Sequence, residues 1–131
     1  MQRIGEMCIR DRPEGVDSVT AALCEPLAIV TTGVLEHGKI GPQDTVAIVG
    51  AGPIGLLSAV AAKSGGAAKV VVLGTDADEA VRFPAARKLG ADQVINVQRE
   101  NAKKLVDSLT SGRGVDIVVE ASGAAEGIRC V

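Results

Sequence analysis

From Thr45 onward, short β-branched runs alternate with stretches of helical period, and each change of period falls on a glycine or an Asp/Asn cluster. The strand candidates are Thr45 to Val49, Lys69 to Leu73, Gln93 to Val97 and Asp116 to Glu120. All are nearly continuous apolar runs rather than alternating ones, the pattern of strands buried on both faces of a parallel sheet. Between them, Pro53 to Ser64 predicts a helix of small residues closed by Gly65-Gly66, and Ala102 to Thr110 predicts another, stopped by Gly112. The middle helix ends before Gly90, and Pro84 sets its start near Ala80, because a proline is tolerated only where its missing N–H has no intrahelical partner. Strand, helix, strand in regular alternation gives an α/β fold. Right-handed crossovers then make a doubly wound parallel sheet of about four strands in the order 3-2-1-4.

Ahead of the sheet the pattern is helical. Asp17 or Ser18 caps a short helix over Val19 to Leu23, and Pro26 opens a second at its first position, running to about His37 before Gly38. His37, the sole histidine, suits a helix C-terminus better than a catalytic role. The chain is therefore divided into a helical lead-in over 13–43 and an α/β unit over 44–131.

Composition narrows the function classes. With 47% hydrophobic and 23% charged residues, the 131-residue chain folds around one core rather than staying disordered. A formal net charge of −2 offers no basic footprint for nucleic acid or an anionic membrane, so a small-molecule partner is expected. Apolar runs such as Val70 to Leu73 fall far short of a membrane span, and the start lacks a signal pattern, which favours a cytoplasmic location. Cys8, Cys24 and Cys130 form no CxxC pair and are expected reduced, with Cys24 a small core residue.

The strongest motif is Gly50-Ala51-Gly52-Pro53-Ile54-Gly55, which leaves an apolar strand and opens a helix. The first glycine permits the tight turn, the second admits a pyrophosphate to the backbone, and the third lets helix and strand pack closely. The positive helix N-terminus then faces the phosphates. Strand before and helix after turn a weak motif into a Rossmann-type dinucleotide site. Such a site also wants an acid roughly 20 residues on, at the end of the second strand, for the ribose hydroxyls. That slot falls on Gly74 or on Asp76, with Thr75 between them. A Gly74-Thr75 slot leaves room for a 2′-phosphate and hence NADP; Asp76, Asp78 and Glu79 repel one, with the nearest cation, Arg82, beyond them. NAD is favoured. At least one of the three acids also caps the helix that follows.

The segments Cys24-Glu25-Pro26-Leu27-Ala28, Val49 to Leu56, Arg87-Lys88-Leu89-Gly90-Ala91-Asp92, and Gly112 to Asp116 followed by Val119-Glu120-Ala121-Ser122-Gly123 occur in this order across most of the chain. Together they resemble the cofactor-binding half of the zinc-dependent medium-chain dehydrogenases, in particular the sorbitol and threonine dehydrogenase branch. The resemblance implies hydride transfer between a secondary alcohol or polyol and nicotinamide in a homo-oligomeric enzyme. It implies a place at the catalytic zinc for Glu25, as a ligand or holding a zinc-bound water, and a place beside the cofactor for Ala121 and Ser122. Helix capping remains the alternative for Glu25, and a plain strand-to-helix turn for Ala121-Ser122. The family's other zinc ligands, a Cys and a His-Glu pair, and the last strands of a sheet of about six have no counterpart here, so the chain alone is expected to be inactive. Two other readings remain: a stand-alone dinucleotide-binding or sensing module, and the zinc-free quinone reductase-like branch, against which Glu25 before Pro26 speaks.

At the start, Met7-Cys8-Ile9-Arg10-Asp11-Arg12 resembles a translated transposase adapter. Residues 1–12 are expected to be a non-native leader on a truncated reading frame, a genuine flexible leader being the alternative.

Overall fold

The computed structural model describes residues 12–125 and 127. Most of the leader and Cys130 lie outside the described residues. Strands β1 (Thr45–Val49), β2 (Lys69–Gly74), β3 (Gln93–Asn96) and β4 (Ile117–Glu120) form one parallel sheet in the order β3-β2-β1-β4. The expected topology is the observed one.

Helices on opposite faces explain why the strands read as unbroken apolar runs. On one face Val46, Ile48, Val70 and Val72 pack with Ala59, Ala62 and Ala86 from α3 (Pro53–Ser64) and α4 (Arg82–Lys88). On the other, Ala47, Val71, Leu73 and Ile95 meet Ala102 and Val106 of α5 (Ala102–Leu109). Neighbouring residues of one strand thus enter different cores. Each buried Val, Leu or Ile contributes on the order of 1.5–3 kcal/mol. Strand β4 departs from the expectation of two buried faces: Ile117 and Val119 pack inward, but Val118 is 45% exposed. Among the described residues α5 covers β1 to β3 and stops short of β4.

Two aspartates tie the strand entrances together. Asp92, just before β3, accepts the Val70 N–H of β2 at 2.7 Å, and Asp116, just before β4, accepts the Thr45 N–H of β1 at 2.7 Å. Gly90 and Gly114, each with positive φ, make the turns that aim them. Pro84 sits in the first turn of α4, as its chemistry requires. A 3₁₀ turn over Asp76–Asp78 precedes that helix and was not anticipated.

The lead-in departs further. Asp17 caps α1 (Ser18–Ala22) through the Val19 and Thr20 N–H groups, as expected. Pro26, however, is the third residue of α2 (Cys24–Thr31), which follows α1 directly and continues into a π-helical segment, Thr32–His37. The proline fits the first turn without starting a new helix, because all first-turn N–H groups lack intrahelical partners. One continuous helical stretch from Ser18 to His37 results. It is long and apolar enough, by length and composition, to cross a membrane, with a mean hydropathy of 1.6. The sequence reading missed it by splitting the run at Pro26. Cys24 is exposed on this stretch rather than buried, since no described element covers its outer face.

Candidate functional site

The sheet order puts the crossover point beside β1. From β1 the chain passes through α3 to β2 on one side, while β4 lies on the other, so the loops leaving β1 and β4 diverge and open a crevice at the carboxyl ends of the strands. A cavity of about 460 Å³ lies there, walled by Gly50, Ala51 and Gly52 after β1, Gly74 and Thr75 after β2, and Ala121 and Ser122 after β4.

Glycine at 50 and 55 is a steric necessity. Gly50 has φ +107°, and a Cβ on it would lie 2.8 Å from the Ser122 backbone. A Cβ on Gly55 would lie 1.8 Å from the Gly50 carbonyl oxygen, so only glycine lets the first turn of α3 rest against the end of β1. Gly52 differs: its φ is −69° and a Cβ there meets nothing within 4 Å. It borders open space at the cavity wall. Gly52 is the N-cap of α3 with no side-chain cap, and Pro53 is the first helical residue, so the helix end offers its N–H groups and positive dipole. Ile54 is exposed beside them, while Pro53, Ile54 and Gly55 shape the turn without lining the cavity.

At the far end the structure sets the acidic residues apart. Gly74 is the last residue of β2, paired with Asn96, and lines the cavity with Thr75. The Asp76 carboxylate turns away toward β3, accepting from Asn96 Nδ2 at 2.6 Å and pairing with Arg99 Nε at 2.7 Å. The Asn96 amide first, and then Arg99, hold that carboxyl below its ordinary range. The acid that does line the cavity is Asp78, in a capping box with Thr75: its Oδ2 accepts from the Thr75 N–H at 2.8 Å and Oγ1 at 3.2 Å. Its Oδ1 accepts from Arg82 Nη1 at 2.8 Å. Burial pushes the Asp78 carboxyl up, but the bonds from Thr75 and Arg82 outweigh it and leave it below the usual carboxylate range. Arg82, expected beyond the acids, lies at the cavity wall instead. The Thr75-x-x-Asp78 spacing, a capping-box signal, is what points to Asp78 in the sequence.

At the other end, Glu120 accepts from the Ser122 hydroxyl and from the Ser122 N–H at 2.8 Å, fixing the turn that carries Ala121 and Ser122. The Ser122 hydroxyl and then its N–H hold the Glu120 carboxyl below its ordinary range.

Glu25 sits exposed in the first turn of α2, where a carboxylate suits the helix dipole. Among the described residues no three His, Cys, Asp or Glu side chains come together to hold a metal ion. A catalytic zinc needs more than one protein ligand, so Glu25 by itself does not fit one. The crevice suits a dinucleotide at Gly52, where glycine backbone at the start of α3 borders open space. His37 stands in the last turn of its π-helical segment, as expected.

Comparison with known proteins agrees with this architecture. A family model described as zinc-binding dehydrogenase matches residues 53–129, more than half of the chain. Sorbitol dehydrogenase of Halalkalibacterium halodurans is 44% identical over 112 residues, covering 86% of this chain and 32% of that protein. L-Threonine 3-dehydrogenase of Bacillus subtilis is 38% identical, covering 85% of this chain and 30% of that protein. Among solved structures, an Escherichia coli oxidoreductase/dehydrogenase of unknown specificity superimposes with a TM-score of 0.80 at 32% identity, over 88% of this chain and 32% of that one. The chain thus spans about a third of the length of these relatives. With its sheet order, its glycine turn and its sequence all in agreement, the chain belongs to the zinc-binding dehydrogenase family.

Proposed function

We propose that this chain is the NAD(P)-binding portion of a zinc-dependent alcohol or polyol dehydrogenase, with residues 13–43 a helical lead-in and 44–131 a partial nucleotide-binding unit. The observation that carries the reading is the glycine-backbone crevice at the crossover point of the sheet. When bound, the nicotinamide would supply the hydride acceptor. This chain's own residues dock and orient it. Gly52, at the start of α3, faces the pyrophosphate, and Pro53 and Ile54 shape the turn that places it. Gly50 and Gly55 keep that turn tight, Gly74 and Thr75 floor the adenosine end, and Ala121 and Ser122 wall the opposite end.

The substrate class, a small alcohol or polyol, comes from the named activities of the relatives. Zinc, with Glu25 at or near it, a homo-oligomeric state and a cytoplasmic location belong to the same reading. The described residues of this chain gather no three side chains able to hold a metal ion, so turnover by the chain alone is expected to be absent. Isothermal calorimetry of the 131-residue chain with NAD and NADP tests the proposal. Saturable binding of either, abolished by Gly50→Ala, is the expected result; binding of neither overturns it.

A further inference from the structure

Strand β3 ends the sheet, so among the described residues one of its edges has no neighbouring strand. Hydrogen bonds around β3 show which backbone groups face that edge. Val97 donates its N–H to Gly74 of β2 at 2.9 Å, whereas the Asn96 N–H points the other way and is accepted by Glu100 Oε2 at 3.2 Å. Alternation along the strand therefore puts the N–H and C=O of Val94 on the outer side with those of Asn96. The Asn96 carbonyl is already taken by the N–H groups of Arg99 and Glu100. That leaves Val94 able to pair outward without displacing a bond. A groove of about 320 Å³ runs along the same edge, between α4 and β3, and its two ends carry opposite charge. Arg87 lines the end where β3 starts, and among the described residues it makes no ion pair. Glu79 and Glu100 line the end where β3 stops, together with Arg99, whose charge is committed to Asp76 and Glu79.

We propose that this edge is a two-fold interface with a second copy of the chain. In it each Val94 N–H donates to the Val94 carbonyl of the other copy, and Arg87 of each copy meets Glu100 of the other. A two-fold axis between the Val94 residues runs the two β3 strands antiparallel, which is the arrangement in which opposite residues exchange both bonds. It also lays the start of one groove beside the end of the other, so the basic end of each copy faces the acidic end of its mate. A parallel approach would set Arg87 against Arg87. The same patch serves both copies, as an isologous contact requires. Charged residues along a sheet edge ordinarily block indiscriminate strand pairing. Here their order from end to end admits one partner in one orientation and repels others. The interface joins two sheets through β3, on the side away from β4, and it does not depend on what the crevice binds.

Analytical ultracentrifugation of the 131-residue chain over a concentration series tests the interface. At low salt the wild-type chain should show a monomer–dimer equilibrium, and added salt should weaken it. Arg87→Glu alone, or Glu100→Arg alone, sets like charges together at both ends of the contact and should weaken the dimer about 10-fold or more. An equimolar mixture of the two variants has opposite charges at both ends again. It should dimerise within about 3-fold of the wild-type affinity. Mixing cannot repair a folding defect, so recovery in the mixture reports the contact itself. A wild-type chain that stays monomeric throughout the series overturns the proposal. So does a dimer that neither substitution weakens, which places the contact on another surface such as the apolar Ser18 to His37 stretch. Variants that remain monomeric when mixed overturn it as well.

Discussion

Single residues at this crevice are constrained by backbone before they are constrained by chemistry. Gly50 and Gly52 carry the same letter in the motif but not the same burden. Gly50→Ala places a methyl group 2.8 Å from the Ser122 backbone at φ +107°, and is expected to cost at least about 2 kcal/mol and to close the crevice. Gly52→Ala meets open space at an ordinary φ, so the stability read from urea denaturation should fall only by the N-cap cost, about 1 kcal/mol or less, while NAD affinity falls. A pair of denaturation curves and a titration separate the two. Asp78 carries a pH signature as well. Its folded carboxyl lies below its ordinary value, so its contribution is fully present above about pH 4 to 5 and is lost as pH falls through the lower folded value. The stability gap between wild type and Asp78→Asn should therefore be widest near neutrality and narrow below about pH 4. A gap that widened on acidification would contradict the bonding described for Thr75 and Arg82.

At the scale of elements, the two strand-entry aspartates matter more than their surface ion pairs. Asp92 pairs with Lys63 at 2.6 Å, but an exposed pair of this kind contributes on the order of 0–1 kcal/mol. The Val70 N–H that Asp92 accepts belongs to a buried strand residue, and removing its acceptor costs about 1–3 kcal/mol. Asp92→Ala should thus lower the urea midpoint well beyond Lys63→Ala, and Asp116→Ala should do the same through Thr45. These aspartates close the Gly-Ala-Asp and Gly-Val-Asp segments, which the sequence offered only as marks of a family. What they do physically became visible once β3 was beside β2 and β4 beside β1. The limits of the three helices that flank the sheet, by contrast, fell close to those expected, because Pro53, Gly65, Pro84 and Gly112 each act on the local backbone and local rules suffice for them.

For the whole molecule, a ligand that binds only the folded state should raise its stability by about 2.7 kcal/mol at a concentration 100 times its dissociation constant. Thermal melts with and without NAD check this, and a transition that NAD leaves unmoved would argue against the proposed function. The apolar outer face of the Ser18 to His37 stretch, where Val19 is 79% exposed, lies away from the crevice. Substituting Val19 and Ile29 by Lys should leave nucleotide affinity unchanged. The sequence by itself determined the strand and helix alternation and the glycine turn, because each rests on periodicity or on a backbone conformation that one residue type satisfies, whereas the sheet order followed from it only through the general rule for doubly wound crossovers. It could not say which way the Asp76 and Asp78 carboxylates turn after the strand ends, and only the tertiary structure decided that. Asn96 and Arg99, some 20 residues along the chain, draw the Asp76 carboxylate toward β3, and the 3₁₀ turn folds Asp78 back over Gly74. The fusion of two expected helices into one exposed stretch was likewise a tertiary matter, since a proline in a first turn permits either outcome.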